Sequence, residues 1–194
     1  MAYGFAVPGR AVRDLRDRSK TDTPGLSTLP DTITPMAPDT STLDQIHQLL
    51  TTAGIDFREL HHEPTRTSED SARARGEDIR IGGKALLMKV GGEFKLFVLS
   101  ATLRVDSQAI RKHFETRKTR FASANGLKDL TGLVPGSVPP FGRPILPFDL
   151  YVDESITRNE RIAFNAGSLT DSIFLSVPDY LQIAKPTVFQ FSNH

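Results

Sequence analysis

Gly132-Leu133-Val134-Pro135-Gly136-Ser137-Val138-Pro139-Pro140-Phe141-Gly142 divides a helix-like stretch from a strand-rich C-terminal part. This segment is too stiff and too apolar for a solvated linker. Glycine permits positive φ and close backbone approach, while Pro139 and Pro140 fix φ and remove two donors. A rigid arc remains, whose N–H groups at Gly136, Ser137 and Val138 are expected to converge on one point. Such a nest can hold an oxygen anion or orient a reacting carbonyl. The plainer alternative is a tight connector between a helix and a strand.

Upstream, Ser123 reads as the start of a helix that stops at Gly132, and Asp106 or Ser107 starts another through Phe114. Before these, Lys84 to Val90 and Glu93 to Ser100 form a hairpin around Gly91-Gly92. Both strands carry apolar runs with little alternation, which predicts burial on both faces. Earlier still, Thr42 and Gln45 can make a capping box for a helix that stops at Gly54. Asp56 to His61 reads as a short strand, and Thr67 or Ser68 caps a helix ending near Gly76. Downstream of the loop, strands are expected over Ile145 to Val152, Arg161 to Asn165 and Ser172 to Val177. A helical turn follows from Pro178 to Ile183, then a last strand over Thr187 to Phe191. Short helices mixed irregularly with strands indicate a single α+β domain around a mixed sheet, and argue against regular βαβ winding.

Residues 1 to about 41 differ from the rest. Five prolines and six threonines before Ser41 accompany isolated apolar residues without period, so the segment reads as a flexible, disordered leader. Arg10, Arg13, Arg16, Arg18 and Lys20 hint at mitochondrial targeting, but Asp14 and Asp17 oppose it, because transit peptides are poor in acids. A cytoplasmic protein is the expectation. Hydrophobic residues at 38% and charged residues at 24% are ordinary for a globular chain. No apolar run reaches the ~18 residues of a membrane span. A net charge of +1 leaves any polyanion to a local patch. The absence of cysteine excludes disulfides, thiolate metal sites and cysteine nucleophiles.

Several motifs fail. Gly83-Lys84 resembles the end of a phosphate-binding loop, but Asp78 stands six positions earlier and Ala85 replaces the required Ser or Thr. His62-Glu63 could open a zincin helix, yet Pro64 follows and Arg66 takes the place of the second His. His61 and His62 are adjacent in a strand and point to opposite faces, so they do not form one metal site. Ser137 is not in a nucleophile elbow. Triad and metal hydrolysis are therefore disfavoured, and no metal or cofactor is expected.

Lys84 follows two glycines and precedes four apolar residues. On its own it reads as a strand-end lysine reaching solvent. Beside a backbone nest it reads as a compact charge for a phosphate, with Gly82 and Gly83 leaving room for the ligand.

Taken in order, His62-Glu63-Pro64 with Thr67, Gly83-Lys84-Ala85-Leu86, Arg120-Phe121-Ala122-Ser123, Leu130-Thr131-Gly132, Pro135 to Gly142, Val152-Asp153 and Asn165-Ala166-Gly167 resemble the YbaK/prolyl-tRNA-editing (INS-like) aminoacyl-tRNA deacylases. The likeness spans roughly Thr42 to Pro186. It implies an editing domain over 42–194 with a central, curved, mixed sheet flanked by short helices. It further implies hydrolysis in trans of the ester joining a wrong amino acid to tRNA, after release from the synthetase. The amino acid would be a small one such as Ala, Ser, Thr or Cys, with the tRNA for proline as one candidate carrier.

In this resemblance the residue at Lys84 holds the phosphate near the terminal adenosine, and the loop Gly136, Ser137, Val138 to Pro140 positions the ester. No side chain is the nucleophile; a water, or a substrate hydroxyl or thiol, attacks with help from the tRNA 2′-hydroxyl. His62, Thr67, Phe141, Gly142, Asn165, Gly167 and Ser168 are expected around the substrate. For Thr67 the helix-cap reading is preferred over substrate contact, and Asp153 reads as structural. Arg111, Lys112, Lys118 and Arg120, with Arg104 and Arg117, face only Asp106 and Glu115. They form either a solvated face or a seat for acceptor-stem phosphates. The expected partner is thus tRNA, with an aminoacyl-tRNA synthetase as a further candidate, and no membrane. A noncatalytic tRNA- or synthetase-binding module of the same fold is the competing reading.

Overall fold

The computed structural model describes residues 40–193. The expected leader therefore lies outside the described residues except for its last two positions. Helix α1 (Thr42–Thr52) is capped by Ser41, whose Oγ accepts from the Asp44 N–H at 3.1 Å, one residue before the expected cap. Strand β1 (Arg58–His61) follows, then α2 (Ser68–Arg75), capped by Thr67 and stopped by Gly76 in the left-handed region. The hairpin is present as β2 (Gly83–Val90) and β3 (Glu93–Ser100), with Gly91 at φ 64° in the turn.

Next come β4 (Arg104–Val105), α3 (Ser107–His113) capped by Asp106, β5 (Thr119–Phe121), and α4 (Ala124–Thr131) between Ser123 and Gly132. After the Gly/Pro loop stand β6 (Leu150–Asp153), α5 (Glu154–Thr157), β7 (Arg161–Asn165) and β8 (Asp171–Ser176). The described chain closes with α6 (Val177–Ala184), β9 (Thr187–Phe189) and β10 (Ser192–Asn193).

The main sheet runs β5-β2-β3-β6-β9. Its first three strands are antiparallel, while β3, β6 and β9 run parallel, so the sheet is mixed as expected. A second, antiparallel sheet has the order β1-β8-β7, and Gly82 bridges to Ala163 where the two sheets meet. The continuous apolar run of β3 is explained by burial on both faces. Leu96 and Val98 join one core with Leu87, Leu150 and Ile162, whereas Phe97 and Leu99 join a second with Met88, Ile110 and Phe191.

Three details depart from expectation. Strand β6 begins at Leu150 rather than Ile145, because residues 143–148 form turns and bends around Pro144 and Pro147, and proline cannot donate to a ladder. Strand β5, hidden in the basic stretch at Arg120, lies at the sheet edge, where charges are tolerated and discourage further pairing. Helix α5 is one short turn begun by Asp153. That residue is 1% exposed and accepts from the Ser155 and Phe191 N–H groups and the Ser192 hydroxyl. Asp153 is thus the structural residue the sequence suggested, tying the C-terminal strap to the sheet.

Candidate active site

Helix α2, the start of β2, the end of β7 and the Gly136 loop surround a cavity of about 210 Å³. Thr65, Thr67, Ser68 and Ser71, all hydroxyl-bearing, line one part of it. The other boundaries come from Lys84 with its flanking backbone, from Gly136 and Val138, and from Asn165 and Arg75. No histidine, aspartate or glutamate lines it.

Lys84 is half-buried. Its Nζ donates to the carbonyl of Leu103 at 2.7 Å and lies 3.5 Å from that of Ala101. Burial lowers its pKa; Glu69 opposes this and Arg104 adds to it. The amine is held on neutral backbone carbonyls. The two preceding glycines serve packing. A Cβ on Gly83 would stand 2.6 Å from Ile162 Cδ1, and one on Gly82 would stand 3.0 Å from Ala101 Cβ. Both glycines also line the cavity, so their backbone borders it while β7 and the residues after β3 leave no room for a Cβ.

Asn165 organises the opposite side. Its Nδ2 donates to the Gly136 carbonyl at 2.9 Å, and its Oδ1 accepts from Arg75 Nη2 at 2.7 Å and from Ser172 Oγ at 3.2 Å. Arg75 also donates through Nε to Ser172 Oγ at 2.9 Å. Gly136 sits at φ 92°, a left-handed conformation that favours glycine. The loop therefore gains its shape from glycine geometry and its position from one amide.

The sequence matches the aminoacyl-tRNA editing domain family over residues 62–183. A curated relative from Escherichia coli (strain K12), the multifunctional Ser/Thr-tRNA deacylase ProXp-y, is 35% identical over 165 residues. The match covers 82% of this chain and 98% of that one. The chain belongs to the aminoacyl-tRNA editing domain family. Two solved structures share its fold at 22% identity. One is a candidate trans-editing enzyme for prolyl-tRNA synthetase, with a TM-score of 0.67 over 82% of this chain and 99% of that one. The other is the hypothetical protein APE2540, with a TM-score of 0.70 over 77% and 99%. The activity is that of a deacylase, and mischarged aminoacyl-tRNA is the substrate.

Within the editing domain, five of the expected site residues meet at the cavity: Lys84, Gly136, Val138, Thr67 and Asn165. Thr67 also caps α2, its Oγ1 accepting from the Asp70 N–H at 3.1 Å. The expected convergence of three N–H groups is not present. Ser137 N–H donates to the Val134 carbonyl at 3.1 Å, and the Ser137 hydroxyl is turned inward on the same residue.

The structure places the remaining expected residues off the cavity wall. The Pro140 carbonyl accepts from the buried Tyr180 hydroxyl at 2.7 Å. Phe141 is 1% exposed and packs edge-on against Phe164 and Tyr180 in the core. Gly142 lets the chain pass the Phe148 carbonyl, which a Cβ would approach to 2.5 Å. Gly167 packs against Thr42 on α1. Ser168 donates to Asp171 and faces that carboxylate with Thr170.

His62 stands behind the wall, its Nδ1 donating to the Glu63 carbonyl at 2.8 Å and its Nε2 lying 2.7 Å from Ser172 Oγ. Sequence reasoning missed Arg75, Thr65 and Ser71. Arg75 in the last turn of a polar helix reads as a cation matched to the helix dipole, so nothing local marks it as a cavity residue.

Proposed function

We propose that this editing domain removes serine or threonine from mischarged tRNA in trans, after the synthetase has released it. The observation that carries the reading is the wall of four hydroxyl-bearing residues, Thr65, Thr67, Ser68 and Ser71, in one cavity with Lys84. Ser71 Oγ donates to Thr65 Oγ1 at 2.9 Å, which orders part of this wall and leaves Ser71 Oγ as an acceptor for a substrate hydroxyl. A site built around such a hydroxyl discriminates far more sharply than an apolar pocket, where one methylene is worth only ~1–3 kcal/mol. The activity named for the Escherichia coli relative, a Ser/Thr-tRNA deacylase, supports the same choice.

Lys84 holds the phosphate of the terminal nucleotide, and Gly136 and Val138 set the ester against the hydroxyl wall. A water attacks the ester carbonyl, assisted by the 2′-hydroxyl of the tRNA, and the ribose oxygen leaves as a hydroxyl. With no histidine or carboxylate in the lining, positioning must supply the acceleration, and an activated ester makes that sufficient.

Arg111, Lys112, Lys118 and Arg120 cluster on α3 and around β5, which pairs with the far half of β2. Lys84 and Lys89 are five residues apart on that strand, roughly 16 Å. This spacing suits phosphates of the acceptor stem rather than the terminal ester.

Seryl-, threonyl-, alanyl- and prolyl-tRNA offered to the full chain test the proposal. Seryl and threonyl esters should be lost fastest. If no ester is lost faster than in buffer while tRNA is still retarded in a gel at low salt, the protein is a binding module and the proposal fails.

A further inference from the structure

Arg75 is a cation without an anion. Its part-buried guanidinium spends Nε on a serine hydroxyl and Nη2 on an asparagine oxygen, both neutral. Among the described residues it belongs to none of the ion pairs, which take up Arg58, Arg73, Arg80, Arg143, Arg158 and Arg161. Burial draws its pKa down to about 10. A buried charge is ordinarily retained only with a partner. Tying α2 to β7 and β8 needs only neutral donors, so that task does not explain the charge.

The remaining edge of the guanidinium points toward the start of β2. Nη1 lies 3.9 Å from the position a Cβ on Gly82 would occupy, two residues before Lys84. Arg75 and Lys84 line the same cavity, with the exposed Arg66 at its edge, and no carboxylate lines it with them. Two fixed cations are a poor match for the amino acid itself, whose free α-amine is cationic beside a neutral ester. The permanent anion nearest that ester is the phosphate on the same terminal ribose. A guanidinium held in a fixed plane presents paired N–H donors that match phosphate oxygens.

We propose that Arg75 is a substrate ligand, forming with Lys84 a two-cation seat for the phosphate of the terminal nucleotide. The inference rests on reading this cavity as the place of the aminoacyl ester. Because Arg75 is hydrogen-bonded to Asn165, which holds Gly136, the seat also fixes the distance from phosphate to loop.

The test is binding of adenosine 5′-monophosphate to the full chain by calorimetry, with adenosine as control, in wild type, Arg75→Gln, Arg75→Lys and Lys84→Gln. Saturable binding to wild type should weaken by about 10-fold or more in Arg75→Gln and in Lys84→Gln, the loss typical of a charge-assisted hydrogen bond. Arg75→Lys should fall between, and adenosine should not distinguish the proteins. Equal nucleotide affinity in wild type and Arg75→Gln overturns the seat, as does absence of binding to wild type. So does a fall in deacylation rate constant with unchanged affinity, which would make Arg75 a support for Asn165. If Arg75→Gln does not fold, equal affinity in Arg75→Lys and wild type overturns the seat in its place. Nucleotide binding that depends on Arg75 in a protein hydrolysing no aminoacyl-tRNA would leave the seat standing and remove the deacylase reading.

Discussion

Asn165 Nδ2 donates to the carbonyl oxygen of Gly136 at 2.9 Å, joining the end of β7 to the loop that shapes the cavity. Asn165 is 6% exposed. Its removal would strand the Gly136 carbonyl and one guanidinium N–H of Arg75 together. Asn165→Ala should destabilise the fold by roughly 2–3 kcal/mol, the cost of buried groups left unpaired. It should also lower deacylation by more than the loss of folded protein explains. Urea unfolding beside single-turnover hydrolysis checks both, and wild-type hydrolysis by the folded variant would refute the role of this bond.

Gly136 itself is a second handle on the same relationship. A Cβ there would meet Leu169 Cδ2 at 3.2 Å, and its φ of 92° strains any side chain. Gly136→Ala should cost about 1–2 kcal/mol and displace the loop, lowering deacylation at saturating substrate. A melting temperature and rate both equal to wild type would show that the loop does not need this conformation.

The sequence displayed the Gly136 loop and Lys84, because glycine, proline and a charge beside an apolar run leave local marks. Helix caps at Thr67, Asp106 and Ser123 were equally visible, and so were the hairpin and β7. What it concealed depends on distant neighbours. Phe141 sits in a motif segment yet serves the core against Phe164 and Tyr180, while the Ser137 N–H is consumed by a local turn to Val134 that glycine and proline content does not distinguish from an open nest. The role of Arg75 arises only when β7 and β8 are folded against α2. Strand β5 escaped notice because an edge position tolerates charges that alternation rules reject.

Asp153 offers a prediction independent of catalysis. Its carboxylate accepts from Ser155 N, Phe191 N and Ser192 Oγ, all within 2.9 Å. Asp153→Ala should destabilise by roughly 3 kcal/mol, since several buried donors lose one acceptor. Hydrogen exchange should rise first over residues 187–193. Uniform protection loss, or none, would contradict the strap assignment.

His61 and Asp171 give a pH dependence with a defined sign. His61 Nδ1 stands 2.6 Å from Asp171 Oδ1, and the hydrogen bond and charge of Asp171 raise the pKa of this exposed imidazole above 6.5. Burial alone would raise the pKa of Asp171, but hydrogen bonds from His61, Ser168 and Thr170 outweigh it and hold the carboxyl at about 2. The histidine contribution is full below 6.5 and fades as pH climbs through its raised folded pKa. The aspartate contribution is full above about 3.8 and fades as pH falls toward 2. The stability gap between wild type and His61→Ala should therefore be largest from about pH 4 to 6.5 and shrink as pH rises further. Thermal melts across that range decide the matter, and a gap that widens with alkalinity would contradict it.

Threonyl-tRNA hydrolysis by wild type and by Lys84→Ala, measured side by side with equal folded protein, bears on the reaction site itself. Loss of the charge that holds the terminal phosphate should lower kcat/KM by on the order of 100-fold, matching the ~3 kcal/mol of a strong charge-assisted hydrogen bond. Equal kcat/KM in the two proteins would contradict the placement of the reaction in the cavity beside Gly136.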